Sequence, residues 1–222
     1  MQDFRTKSLV LRRTNFGEAD RILTLITKLG RIECLAKGVR KEKSKLAGGI
    51  ELFTLSDVVI HQKDESRLAI LTSARAEKFY SNLLKDLDKI NLASFFLKMT
   101  DKRTRDVSSP DFFDLLNSSL AHLNSNTDPT LIETFFRLNL LKISGENLNL
   151  YFDTSGEKLK IDQTYTWNAL ASAFEPSVSG NFTATDIKVL RFLLSSDLTT
   201  SARLKYSDYN KLLIIAKSAS EL

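Results

Sequence analysis

The sequence predicts an α+β protein, with a small closed β-barrel at the N-terminus and an all-α helical domain after it. Three observations carry this. Apolar residues alternate with a period of two through the first 80 residues, the period becomes helical from Phe79 onward, and no proline occurs before Pro110. Period two places every second side chain on one face of a strand, and recurrence at three and four places side chains on one face of a helix.

The strands follow in order. Leu9 and Leu11 alternate with Val10 and Arg12. Arg21–Lys28 (RILTLITK) is β-branched and apolar, and Leu29-Gly30 can turn it into the next strand. There Ile32, Cys34 and Ala36 alternate with Arg31, Glu33, Leu35 and Lys37. Val58 and Ile60 stand opposite Val59 and His61, and Leu68 and Ile70 opposite Ala69 and Leu71. The polar stretch 62–67 is short enough for a hairpin turn. Some five short strands in about 80 residues fit a closed barrel better than an open sheet, whose edges would be exposed.

The helical pattern begins with Tyr80, Leu83, Leu87, Ile90 and Leu97. Ser109-Pro110-Asp111 is a helix start, because Ser109 can cap and Pro110 suits a first turn that needs no N–H. Phe113, Leu116, Leu120 and Leu123 follow. Asp128-Pro129 repeats the signal before Leu131, Phe135, Leu138 and Leu141. The span 145–166 loses periodicity and reads as a loop or hairpin. Thr183 with Asp186 predicts a capping box ahead of Ile187, Leu190 and Leu194. A last helix carries Tyr209, Leu212, Leu213 and Ala216. The expected domains are therefore 1–79 and 80–222, with an irregular insert around 145–166.

Charge is distributed unevenly. Residues 1–80 hold 16 Lys and Arg against 10 Asp and Glu, while residues 81–222 hold 16 against 17. The positive excess thus lies in the barrel, which points to a polyanion-binding surface there. The densest segment is 37–49 (KGVRKEKSKLAGG), with Lys37, Arg40, Lys41, Lys43 and Lys45 against Glu42 alone. Gly38 and Gly48-Gly49 bracket it, so the backbone can bend at both ends. A flexible cationic loop on a barrel gains binding energy from counterions released by nucleic acid, whatever the sequence. From charge alone the segment reads equally well as a solvated connection. Arg12, Arg13 and Arg21 are candidates to extend the patch, although surface arginines are common.

Catalytic chemistry finds little footing. His61 and His122 are isolated from each other, from cysteine and from carboxylate pairs, so neither a metal site nor a triad is expected. Cys34 lies on the apolar face of its strand, where a thiol is packing. No phosphate-cradling glycine loop or dinucleotide glycine pattern is present. Glu18 and Asp20, in the segment Asn15–Asp20, suit turn roles better than a catalytic pair. The aromatics Phe79, Tyr80, Phe95, Phe96, Phe112, Phe113, Phe135 and Phe136 recur at helical spacing and read as core rather than as base-stacking groups. One cysteine allows no internal disulfide. No apolar run reaches bilayer length, and Met1–Val10 is too short and polar for a signal peptide, which together suggest the cytoplasm.

The barrel segments also resemble a known family. Leu9–Thr27 (LVLRRTNFGEADRILTLIT), Leu29-Gly30-Arg31, Ala36–Lys41 (AKGVRK), Lys45–Gly49 (KLAGG) and Leu52-Phe53-Thr54 are similar, in order and spacing, to the N-terminal domain of RecO. RecO is the bacterial recombination-mediator and DNA-repair family. The likeness runs nearly unbroken through residues 8–78, and Asp128-Pro129, Leu140-Leu141 and Gly145 extend it into the helical part. The resemblance implies an N-terminal OB-fold followed by a helical domain. It also implies binding to single- and double-stranded DNA, annealing of complementary strands and recombinase loading, without covalent catalysis. The implied partners are RecR and the acidic tail of single-strand-binding protein. With it, Arg12, Arg13, Arg21, Lys37, Arg40, Lys41, Lys43 and Lys45 are the expected DNA contacts. Three departures are visible. Many members carry a four-cysteine zinc module, but here Phe152 and Ser155 stand at the first Cys-x-x-Cys pair, so no zinc or other cofactor is expected. Thr134 and Phe135 replace a frequent Arg pair, which leaves Arg137 as the candidate contact to an acidic protein tail. The sequence ends soon after Lys217, short of a C-terminal segment found in longer members. Two other readings stay open: a protein adaptor with vestigial DNA binding, and an RNA-binding OB-fold, since phosphate contacts do not tell RNA from DNA.

Overall fold

The computed structural model describes residues 2–62 and 68–220, so the turn expected at 62–67 lies, beyond Gln62, outside the described residues. The chain divides into two compact units, Met1–Ser125 and Asn126–Leu222. The division falls later than the change from strand to helix near residue 80.

Unit 1 is built on five strands: β1 (Gln2–Phe16), β2 (Asp20–Thr27), β3 (Gly30–Ala36), β4 (Thr54–Gln62) and β5 (Ala69–Phe79). They close in the order β1-β2-β3-β5-β4, with β4 pairing back onto β1. β3 and β5 run parallel, and the other pairs are antiparallel. This is the OB-fold arrangement, and closure leaves no open edge. β1 serves both neighbours because it is long: its first half pairs with β4 and its second half with β2. The pairing shifts register between Val10 and Arg12, and such a bulge bends a strand around a barrel corner.

The interior is filled by the alternating residues that the sequence marks. Val10, Leu23, Leu25, Cys34, Ala36, Val58, Ile60, Ala69 and Leu71 form one buried cluster, joined by Val39 and Ile50 from the long connection after β3. Burial pushes the Cys34 thiol up to about 12, so it stays protonated and unreactive, as packing.

After β5 a 3-10 turn, Ser81–Lys85, leads into α1 (Leu87–Arg103) and α2 (Asp111–Leu123). The helical stripe starts later than its spacing predicts. Tyr80 and Leu83 are buried on the 3-10 turn, whereas Leu87 is 71 % exposed and the inner face of α1 is Ala93, Phe96, Leu97 and Thr100. Asp86 caps α1 through its carboxylate, accepting from the Asp88 and Lys89 amides. α1 packs on β1 and on α2.

Unit 2 holds α3 (Pro129–Ile143), α4 (Ala184–Ser195), the short α5 (Leu198–Ser201) and α6 (Tyr209–Ser220). α3 packs against α4 and α6. Both caps anticipated in this unit form: Asp128 accepts from the Thr130 amide ahead of Pro129, and Thr183 and Asp186 make a reciprocal capping box. At the third anticipated start, in unit 1, Pro110 itself takes the N-cap position of α2 and Ser109 accepts the Asp111 amide at 3.2 Å. The helical part is not purely helical. β6 (Asn149–Asp153), β7 (Tyr165–Asn168) and β8 (Ala173–Pro176) form a small sheet in the order β6-β8-β7. Each is only four or five residues long, too short for a period-two signal. Phe174 holds this sheet together, with the rings of Tyr165, Trp167 and Phe182 edge-on at 6.1, 5.2 and 5.7 Å.

Candidate nucleic-acid interface

The β1–β2 hairpin ends in a three-residue turn, Gly17–Ala19, and the segment after β3 is seated directly on it. Asp20 accepts the Gly38 amide at 2.7 Å, the Ala19 carbonyl accepts the Arg40 amide at 2.9 Å, and the Arg40 guanidinium donates to the Gly17 carbonyl at 3.3 Å. Asp20 thus has the turn role that its position suggests. The two connections form one surface at one end of the barrel.

The basic segment is a chain of closed turns rather than a flexible loop. The Lys41 amide donates to the Gly38 carbonyl at 3.1 Å, the Ser44 amide to the Lys41 carbonyl at 3.0 Å, and the Gly49 amide to the Leu46 carbonyl at 3.1 Å. Its apolar residues turn inward: Val39 and Ile50 are buried in the barrel core, and Leu46, Ala47 and Leu52 pack against it. The cations between these anchors point out, and Lys37, Arg40, Lys41, Lys43 and Lys45 are all exposed. The bracketing glycines differ in purpose. Gly38 takes a φ of +62°, which only glycine adopts readily. Gly49 is needed for room, because a Cβ there would lie 2.5 Å from the Ala74 carbonyl oxygen on β5.

Ion pairing separates two groups among the basic residues of unit 1. Arg5 pairs with Asp57, Lys7 with Glu77, Arg13 with Glu51 and Lys28 with Asp114. Arg12, Arg31 and Arg105 converge on Asp101 at 3.6, 3.2 and 3.3 Å, and Glu33 accepts from both Arg12 and Arg31. Asp101 lies on α1, so this cluster ties the helix to β1 and β3. By contrast, Arg21, Lys37, Arg40, Lys41, Lys43 and Lys45 have no ion pair among the described residues. Arg21 donates only to Asn15, at 3.2 Å. It sits opposite Ala36 in the β2–β3 register, next to Lys37. Of the eight barrel residues expected to contact DNA, the structure therefore gathers six unpaired cations on one end. Arg12 and Arg13, on β1, are engaged by carboxylates.

The outer face of the strands beside these turns is partly apolar. Thr14 pairs with Ile22 and Ile22 with Leu35, while Leu23 and Cys34, the next residues, point into the core. Phe16 shares the outward parity of Thr14 and is 54 % exposed. The helical spacing that explains the other aromatics says nothing about Phe16. Its signal in the sequence is an aromatic ring at an outward position directly before a turn.

Arg137 does not offer a contact. It is 5 % exposed inside unit 2, donates to Glu133 at 2.8 Å and to Ser220 at 2.7 Å, and presents no guanidinium to a docking chain. It is one turn from Glu133 on α3, and this i, i+4 pairing draws it inward. Unit 2 does have a cleft of about 430 Å³, where Lys142 and Arg191 meet Leu138, Leu148, Leu150 and Tyr151. Its Arg191 guanidinium lies 4.4 Å from the centre of the Tyr151 ring.

Phe152 and Ser155 provide no thiolate. The intervening Asp153 accepts from the Ser155 and Glu157 amides, so its carboxylate closes a turn. The group does not fit a metal, and no cluster of three or more His, Cys, Asp or Glu that could hold one occurs among the described residues. No described helix is long and apolar enough to cross a membrane.

Comparison with known proteins agrees with this architecture. A family model for the recombination protein O N terminal matches residues 1–80, and one for the recombination protein O C terminal matches residues 84–215. The chain is 31 % identical over 211 residues to a DNA repair protein RecO of Dehalococcoides mccartyi, covering 91 % of this chain and 83 % of the relative. It is 33 % identical over 183 residues to DNA repair protein RecO of Heliobacterium modesticaldum, covering 81 % and 64 %. With that of Desulfitobacterium hafniense it shares 28 % over 234 residues, covering 97 % and 82 %. Two family models in sequence on an OB barrel and a helical C-terminal part leave one assignment: the chain belongs to the RecO family.

Proposed function

We propose that this RecO-family chain is a non-enzymatic DNA repair and recombination mediator, working in the cytoplasm, that binds single- and double-stranded DNA through the cationic end of its barrel. The observation that carries this reading is the segregation of Arg21, Lys37, Arg40, Lys41, Lys43 and Lys45 from every carboxylate partner among the described residues. Cations already neutralised by a carboxylate release few counterions from DNA, whereas unpaired ones release their full share. Backbone contacts of this kind are indifferent to sequence, as a mediator of repair requires. The same charges lower the repulsion between two phosphate backbones, so the surface serves annealing without any catalytic residue. Recombinase loading would follow through a RecR-type partner. For the acidic tail of a single-strand-binding protein, the unit 2 cleft with Lys142 and Arg191 replaces Arg137 as the surface we assign.

The test is a salt titration of binding to single-stranded DNA, duplex DNA and RNA, beside an annealing assay. The parent chain is expected to bind DNA with a steep salt slope, and the Arg40→Ala, Lys41→Ala, Lys43→Ala, Lys45→Ala variant to lose binding and annealing together. A variant that binds and anneals like the parent would favour the adaptor reading. Tighter binding to RNA than to DNA would favour the RNA reading.

A further inference from the structure

We propose that Phe16, with Ile22 and Leu35, forms a platform for stacking unpaired bases, so that this barrel end distinguishes single-stranded DNA from duplex. The proposal rests on the DNA-binding reading above and adds to it a contact that phosphates cannot supply.

Three features lead to it. First, Phe16 is an exposed ring with a reason to be buried and no neighbour that buries it. It is 54 % exposed and makes no ring–ring or cation–ring contact among the described residues. Second, its face is continuous. Phe16 and Thr14 share the outward side of β1, Ile22 lies beside Thr14 on β2, and Leu35 beside Ile22 on β3, both half-buried. Third, the cations surround it. Gly17, the next residue, accepts from the Arg40 guanidinium, and Lys37, exposed, lies two residues past Leu35 in the turn that leaves β3. A bare apolar strip invites many partners, but one bordered by unpaired cations suits a ligand with flat apolar rings on a polyanionic chain. Single-stranded DNA is that ligand. In a duplex the base faces are stacked inside the helix and cannot reach a ring on a protein surface. Stacking is also tolerant of sequence, because every base has a π-face.

The experiment uses the full chain and two oligonucleotides, an unstructured thymidine 20-mer and a 20-base-pair duplex. Phe16→Ala is expected to weaken binding to the single strand about tenfold, the size of one lost base stack. Its duplex affinity and its salt slope should stay as in the parent, since no charge is removed. Phe16→Trp should keep the parent affinity, and the fluorescence of the introduced indole should be quenched by the single strand but not by the duplex. Leu29→Ala, at the exposed turn on the far end of β2, should change neither affinity. An equal loss on both DNAs would overturn the proposal, as would no loss on either, or an indole in the Phe16→Trp variant that the single strand leaves unquenched. Failure of the DNA reading itself looks different: the fourfold loop variant would then bind like the parent, whatever Phe16→Ala does.

Discussion

The strand arginines and the loop cations of the barrel have the same formal charge and opposite fates. Arg12, Arg13 and Arg31 project from pleated strands at positions where a strand, α1 or, for Arg13, Glu51 at the end of the connection after β3 brings a carboxylate within reach. Lys37, Arg40, Lys41, Lys43 and Lys45 project from tight turns, where cross-strand neighbours are absent and the one local acid, Glu42, has no ion pair with them among the described residues. Net charge in a segment therefore overstates the charge that a ligand can use. What counts is the fraction left without a partner once the chain has folded.

The largest expected effect breaks the comparison if it fails. Replacing Arg40, Lys41, Lys43 and Lys45 by alanine should weaken single-strand binding on the order of a hundredfold at low salt and flatten the slope of log K against log salt by about three. Melting temperature should hardly move, because the four side chains are exposed. Gly49→Ala asks how far the turns depend on their seat. A Cβ driven against the Ala74 carbonyl should cost about 2 kcal/mol or more of stability, read by urea unfolding, and lower DNA binding in proportion to the folded fraction.

Asp101→Asn probes the paired set. Removing the charge leaves Arg12, Arg31 and Arg105 facing one another over Glu33, so unfolding free energy should fall by about 2 kcal/mol. DNA affinity should hold or rise, because guanidiniums are released. A loss of affinity matching that of the loop variant would mean that the paired set also carries the ligand. Unit 2 has a paired carboxylate of its own. Burial works against the Asp186 charge, but hydrogen bonds from Lys211, Tyr206 and Thr183 outweigh it and hold the carboxyl below the usual range. A lowered native pKa gives stability that is present above the unfolded value of about 3.9 and is lost as pH falls through the native value. Calorimetry between pH 7 and pH 2 should show that loss, and Asp186→Asn should shrink it. The smallest effect is that of Arg12→Ala, expected to change DNA affinity less than about twofold, since surface pairs already screen that charge.

Legibility differs from element to element. Alternation reveals β1, β3, β4 and β5 because the closed barrel buries one face of these strands. β2, buried on both faces from Leu23 to Thr27, is legible instead as a β-branched apolar run. The caps at Asp128 and Thr183 are local rules that act within four residues. The inner face of α1 is not legible at Leu87, because a spacing of three or four cannot tell a 3-10 turn from the first turn of an α-helix. β7 and β8 leave no trace in the pattern because strands of four residues are held by Phe174 and its neighbours rather than by any periodicity of their own. Arg137 reads as available because a lone arginine in a helix carries no mark of whether Glu133 will draw it inward.

The sequence by itself determined where the positive excess lies, that the barrel closes, and that the basic segment is punctuated by glycine. These are properties of spacing along the chain. Which of the cations remain unpaired was decided only by the tertiary structure, and so were the seat that Asp20 and Ala19 provide for Gly38 and Arg40 and the outward position of Phe16 beside them. The physical reason is that pairing and exposure depend on partners far away in sequence. Asp101 reaches Arg31 across 70 positions and Ala74 confronts Gly49 across the barrel, and no local pattern records either meeting.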